Sequence, residues 1–228
     1  MKNTRKLAIL ITALPLITAA NGASVLLGGF EGINDNAFQS PTATGVTVTL
    51  TSSTGDITPG GGSFQSNPST WGTLALDVAT TDAGNRQIVQ SGSPYTLTLT
   101  ITNVSAAADV LLDSIHYWTK KDIANVGPPS ATFAYTAGDL GAANSTSLAI
   151  ANGVTPTDFA LSGLLSDLTL AVGESATFTW TTDPPQDPTG NTGLRIDNFA
   201  ISGEVIPEPS SAALLGLGCL ALIRRRRK

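Results

Sequence analysis

The chain has 228 residues, of which 41% are hydrophobic, 13% charged and 6% aromatic; that apolar share supports a core and excludes a wholly disordered chain. One Cys and one His exclude a disulfide scaffold, a zinc finger and a multi-His metal centre. The net charge of −5 is segregated: eight of the 12 bases sit at the two termini, leaving Arg86, Lys120, Lys121 and Arg195 against all 17 acids, or −13, in the middle; such a surface disfavours nucleic acid and can attract cations such as calcium.

Met1–Lys6 is a short basic start. An apolar run of 11 residues follows, Leu7–Ile17, and then the small residues Thr18-Ala19-Ala20-Asn21-Gly22-Ala23. This is the three-part plan of a secretory signal peptide, with cleavage expected near Gly22. The run spans only ~16 Å as a helix, about half a bilayer core. No Cys follows it, so no lipoprotein anchor is expected.

Residues 23–204 read as one domain with period-2 patterning. Val46-Thr47-Val48-Thr49-Leu50-Thr51 alternates strictly, as do Tyr95–Thr102, Leu168–Leu170 and Phe178–Thr181. The 31 threonines suit the solvated face of strands, because a β-branched side chain fits a pleated surface. Further strands are expected near Val25–Phe30, Thr73–Val78, Arg86–Gln90, Val110–Trp118, Ala131–Thr136, Thr146–Ala151 and Leu194–Ser202. Turn residues separate them, including Gly173-Glu174. No amphipathic helix stands out. The expected fold class is all-β, a single antiparallel β-sandwich of jelly-roll type, flanked by the signal helix and a short C-terminal transmembrane helix.

The C-terminus reads Val205-Ile206-Pro207-Glu208-Pro209-Ser210-Ser211, an apolar stretch Ala212–Ile223, and the basic stop Arg224, Arg225, Arg226, Arg227 and Lys228. Residues 210–223 span ~21 Å as a helix, short of the ~30 Å core, and the Arg cluster extends the reach by snorkelling. The positive-inside rule keeps the basic stop in the cytoplasm and everything before it outside, in agreement with the signal peptide.

This three-part tail, residues 205–228, resembles a PEP-CTERM sorting signal. The resemblance implies that the sorting motif Pro207, Glu208 and Pro209 is recognised by an exosortase, a membrane-embedded cysteine transpeptidase. It implies transient membrane anchoring through the C-terminal helix. Cleavage near the motif then delivers the protein to the bacterial cell surface, extracellular matrix or exopolysaccharide. A permanent tail anchor is the alternative. Cys219 is read as a small apolar residue of the membrane segment.

A looser resemblance involves the domain's ends. Gly28-Gly29-Phe30-Glu31 is similar to the opening strand of jelly-roll carbohydrate-binding modules, and Leu194–Ile201 to their closing strand, with Leu27 where Asn is usual. The resemblance implies that the first and last strands pair. It nominates Glu31 and Asp197 as ligands of a structural calcium; no other cofactor is expected.

His116 is the lone His. A catalytic role would need a Ser or Cys nucleophile and an orienting acid brought together by the fold. No Gly-x-Ser-x-Gly is present, so the expectation is a strand His facing solvent or capping the core. Tyr117 and Trp118 alternate in facing, so one of them points inward. An outward Trp71, Trp118 or Tyr117 could stack on a sugar. Asn103-Val104-Ser105 and Asn144-Ser145-Thr146 are sequons. No catalytic residue is assigned, and the chain is not read as an enzyme. The expected function is that of an exported, non-catalytic structural or adhesive sandwich associated with exopolysaccharide. A carbohydrate-binding module is the alternative, and a glycoside or other hydrolase the third reading.

Overall fold

The computed structural model describes residues 24–32, 37–38, 43–52, 57–59, 70–71, 74–75, 86–88, 94–121, 128–184 and 194–207. The expected signal peptide and residues 208–228, with the expected transmembrane helix, lie outside them. Among the described residues no helix is long and apolar enough to cross a membrane.

The strands in chain order are β1 (Val25–Gly32), β2 (Ala37–Phe38), β3 (Val46–Ser52), β4 (Ile57–Pro59), β5 (Thr70–Trp71), β6 (Leu74–Ala75), β7 (Arg86–Ile88) and β8 (Thr96–Asn103). They continue with β9 (Ala108–Lys121), β10 (Ser130–Gly138), β11 (Asn144–Ala149), β12 (Gly153–Ala160), β13 (Thr169–Leu170), β14 (Ser175–Thr182) and β15 (Leu194–Pro207). One 3-10 turn, Leu161–Gly163, lies between β12 and β13. Among the described residues the strands form two main antiparallel sheets. The larger has the order β12-β9-β15-β1-β2, with β13, β7 and β4 at its margins, and the smaller the order β11-β10-β14-β8-β3. The architecture is an antiparallel β-sandwich. β1 and β15 are neighbours, with Val25 opposite Gly203 and Phe30 opposite Phe199, so the expected pairing of first and last strands is present.

The alternation read in the sequence becomes an inside and an outside. In β8, Leu97, Leu99 and Ile101 are buried while the intervening threonines are half-exposed. Those threonines meet others across the strands: Thr96 faces Thr181 with hydroxyls 3.0 Å apart, and Thr100 faces Thr177 at 3.3 Å. Cross-strand hydroxyl pairs of this kind stabilise a solvated sheet face.

Between the sheets lies one core. Tyr117 of β9 stacks on Phe199 of β15 with centroids 5.7 Å apart, and meets Trp180 of β14 edge-on at 6.0 Å. Phe133 of β10 stacks on Phe178 at 5.6 Å and reaches Phe159 of β12 at 5.3 Å. Phe159 is partly buried, and each of the fully buried rings contributes roughly 1.5–3 kcal/mol of transfer free energy. Gly173 has a φ of 84° in the turn between β13 and β14, and the Glu174 N–H donates to the Ala171 carbonyl across it. A left-handed residue there requires glycine, which confirms the expected Gly173-Glu174 turn.

One long strand was not expected. β12 contains Pro156, and a proline within a run argues against a strand in the middle of a sheet. Among the described residues β12 is the edge of the larger sheet, bonded on one side only, to β9. An edge tolerates a residue that cannot donate.

Candidate functional site

On β9 the buried residues Val110, Leu112, Ile115, Tyr117, Thr119 and Lys121 point into the sandwich. Ser114, His116, Trp118 and Lys120 therefore occupy the outward face of the larger sheet. His116 does not face solvent there. It is buried, and so are its outward-face neighbours Ser202, Ala200 and Leu26; Leu26 and Ala200 form a small apolar cluster separate from the main core. The expectation of a solvent-facing or core-capping His is corrected on this point.

The two strands that flank β9 deliver partners to His116. β12 places Asp158 directly opposite it, and β15 places Ala200 opposite it, with Ser202 just beyond, where the register shifts. His116 Nδ1 lies 2.5 Å from Asp158 Oδ1 and Nε2 lies 2.8 Å from Ser202 Oγ. The Asp158 carboxylate accepts from Nδ1–H, and Nε2 shares a hydrogen bond with the Ser202 hydroxyl. Ser202 Oγ also lies 3.4 Å from the Ser114 carbonyl.

The connectivity is that of a Ser-His-Asp triad. Ser202 and Asp158 carried no motif that would have nominated them, because the three residues meet only through strand pairing across 86 positions of sequence. The setting differs from that of a nucleophile. Ser202 is 1% exposed and sits inside a strand paired on both sides, opposite Leu26 of β1. An attacking oxygen needs an acyl carbonyl within ~3–3.5 Å, and this one is enclosed. What the arrangement does is lock β12, β9 and β15 together with every member of the trio hydrogen-bonded.

The aromatic candidates separate cleanly. Tyr117 is in the core, where burial raises its pKa above the ordinary phenol range, so it cannot stack on a sugar. Trp118 lies half-buried on the outward face, opposite Pro156 and Asp197. The Trp71 side chain falls outside the described residues.

The register brings the calcium candidates near each other along the backbone. Glu31 follows Phe30, which pairs with Phe199, and Asp197 lies two residues before Phe199. Their side chains fall outside the described residues. Among the described residues no group of three or more His, Cys, Asp or Glu could hold a metal ion.

The first sequon is also accounted for. Asn103 is wholly buried, and its Nδ2 donates to the carbonyls of Ala108 (2.8 Å) and Leu170 (2.9 Å) while Oδ1 accepts from the Ser105 N–H. It is a corner brace, with no free amide for a glycan. Asn144 Nδ2 donates to the Leu164 carbonyl at 2.7 Å.

The other end of β15 carries the sorting feature. The strand runs to Pro207, with Val205, Ile206 and Pro207 paired to Val110, Asp109 and Ala108 of β9. The last strand of the sheet thus runs into residues 205–207, which precede Glu208 and Pro209 in the sequence.

Residues 205–228 match the family model of the PEP-CTERM protein-sorting motif. The match implies an exported, cell-envelope-targeted protein and processing by an exosortase. No curated protein matches the chain. Among solved structures, the chain is similar to TmCBM61 in complex with β-1,4-galactotriose, at 11% identity and a TM-score of 0.36, over 69% of this chain and 88% of that one. It is similar to the family 11 carbohydrate-binding module of the cellulosomal cellulase Lic26A-Cel5E of Clostridium thermocellum, at 12% identity and 0.36, over 81% and 96%. It is also similar to the enzymatically active domain of bacteriophage CBA120 tailspike protein 4, at 16% and 0.32, over 71% of this chain and 20% of that one.

Proposed function

We propose that the chain is an exosortase substrate whose mature part is a non-catalytic structural or adhesive sandwich of the cell surface or exopolysaccharide. The observation that carries this reading is the sorting motif beginning within the last strand of the domain. The signal peptide exports the chain, and residues 210–223 hold it with Arg224–Lys228 inside. Cleavage near Pro207-Glu208-Pro209 frees the folded domain. The two prolines lack N–H donors and keep the backbone extended, so a protease groove meets a strand that cannot pair onward. The enclosure of Ser202 supports the non-catalytic part.

Replacing Pro207, Glu208 and Pro209 by alanines tests this reading in cells. The expected result is a folded, larger, membrane-bound form. Unchanged processing and release would overturn it.

Carbohydrate binding is the second reading, favoured by Trp118 on the outward face. Binding of the domain to a panel of polysaccharides, lost in Trp118→Ala, supports it; no binding by a folded domain sinks it. A structural calcium between Glu31 and Asp197 belongs to the same proposal. It predicts a melting temperature lowered by EDTA and insensitive to EDTA in Asp197→Asn.

A further inference from the structure

The two ends of the sandwich differ. Pro207 pairs with Ala108, whose carbonyl accepts the Asn103 amide at 2.8 Å. The Asn103 carbonyl accepts the Gly173 N–H at 2.9 Å, and the Gly45 carbonyl accepts the Val104 N–H at 2.8 Å. The turn at 43–45, the loop 104–107, the turn 171–174 and the exit of the tail therefore form one continuous surface. The exposed large apolar side chains among the described residues are Val104 (57%), Val172 (45%) and Val25 (46%). Val104 and Val172 lie on that surface, and Val25 begins β1 beside it, opposite Gly203. Single exposed valines are ordinary; here Val104 and Val172 flank the hydrogen-bonded turns at the end that carries the tail, and Val25 lies four register positions from Pro207.

The domain's four bases are at the far end. Lys120 and Lys121 close β9, Arg195 opens β15 opposite Lys120, and Arg86 pairs with Ile196. At the tail end Asp139 accepts the Ser175 N–H and Glu174 accepts the Ala171 N–H. The apolar stretch begins at Ala212, five residues beyond Pro207. Five extended residues reach at most ~18 Å, so an inserted tail keeps this end beside the headgroup layer.

We propose that this end of the sandwich is a bilayer-contacting surface, with Val25, Val104 and Val172 dipping into the membrane interface while the tail is anchored. The contact stands β15 on the membrane and fixes the height of Pro207-Glu208-Pro209 for a membrane-embedded protease. It rests on the anchoring part of the function proposed above. A weak contact is sufficient, because a short tether holds the surface at an effective concentration in the millimolar range. The attraction is apolar. With acids at this end and bases at the other, anionic lipid weakens the contact, unlike that of a basic peripheral protein.

The test uses the full chain with Cys219→Ser, reconstituted in phosphatidylcholine vesicles with or without brominated acyl chains. Single cysteines at Val104→Cys, Val172→Cys or Asn152→Cys carry a bimane dye; Asn152 is exposed beside Gly153, which pairs with Lys121 at the far end. The expected result is loss of fluorescence in brominated lipid at 104 and 172 and none at 152. Equal emission in both lipids at all three sites, in chain that floats with the vesicles, overturns the proposal. Chain that does not float overturns the anchoring reading and this surface with it. Val104→Glu with Val172→Glu changes two exposed positions and leaves the fold intact. In that variant cellular processing slows at unchanged melting temperature. Slowed processing without any lipid quenching in the parent chain assigns the surface to the protease instead and overturns the lipid contact.

Discussion

His116 and Asp158 face each other directly across β9 and β12, 2.5 Å apart, on a sheet face where His116 is almost fully enclosed. Ser202 closes the trio from β15. Ser202→Ala removes one hydrogen bond and is expected to cost about 1 kcal/mol, and Asp158→Ala, which strands the imidazole N–H, about 1–3 kcal/mol. His116→Ala also opens a cavity and costs more than either. Denaturant unfolding of the single and double variants measures these terms, and a coupling energy of about 0.5 kcal/mol or more between 116 and 158 is expected for residues in contact. Ester hydrolysis by the unmodified chain and by Ser202→Ala is expected to be the same; a loss in the variant would return the trio to catalysis.

Gly203 tests how tightly β15 is held beside this trio. A Cβ there would lie 2.3 Å from the Leu111 carbonyl oxygen and 2.6 Å from Leu27 Cδ1. The oxygen belongs to backbone and cannot move aside, so Gly203→Ala is expected to destabilise by about 1–3 kcal/mol, the usual range for overpacking. Gly141→Ala is the contrast. Nothing lies within 4 Å of its Cβ, but its φ of 104° strains any side chain, at roughly 1 kcal/mol. Melting temperatures of the two variants rank them.

Alternation made most of the fold legible. Val46–Thr51, Tyr95–Thr102 and Phe178–Thr181 became β3, β8 and β14 because each has one solvated face, and period 2 reports one solvated face directly. β12 stayed hidden because Pro156 looks like a strand breaker until the strand is known to be an edge. The hydrogen-bonded trio was hidden for a different reason. Asp158, His116 and Ser202 are ordinary residues on three strands, and only the register of β12-β9-β15 joins them. The sorting motif was legible because its residues are contiguous in sequence, and residues 205–228 match its family model.

Alkaline pH should unfold the domain earlier than acid-base chemistry at the surface would. Burial raises the pKa of both Tyr95 and Tyr117 above the ordinary phenol value of 10.0, and desolvation of the phenolate is the largest cause in each. The unfolded phenols ionise near pH 10 while the folded ones hold their protons. Stability from these groups is therefore complete below pH 10 and is lost progressively as pH rises above it. Tyrosinate absorbance at these two positions is expected to appear together with loss of near-ultraviolet circular dichroism. Tyr117→Phe should flatten the dependence; simple titration of a still-folded chain near pH 10 would contradict it.

The last strand sets where the mature domain can end. Val205, Ile206 and Pro207 lie opposite Val110, Asp109 and Ala108, and Val110 is wholly buried. A chain ending at Glu204 loses that pairing and uncovers Val110, while one ending at Pro207 keeps it. Uncovering most of one valine and losing the adjoining strand bonds is expected to cost about 2–3 kcal/mol. Urea unfolding of residues 23–204 and 23–207, compared side by side, measures the difference. Equal midpoints would mean that the end of β15 adds nothing to the fold and that cleavage upstream of Pro207 is tolerated. A clear loss at 204 places the productive cut after Pro207, where release costs the domain none of its sheet.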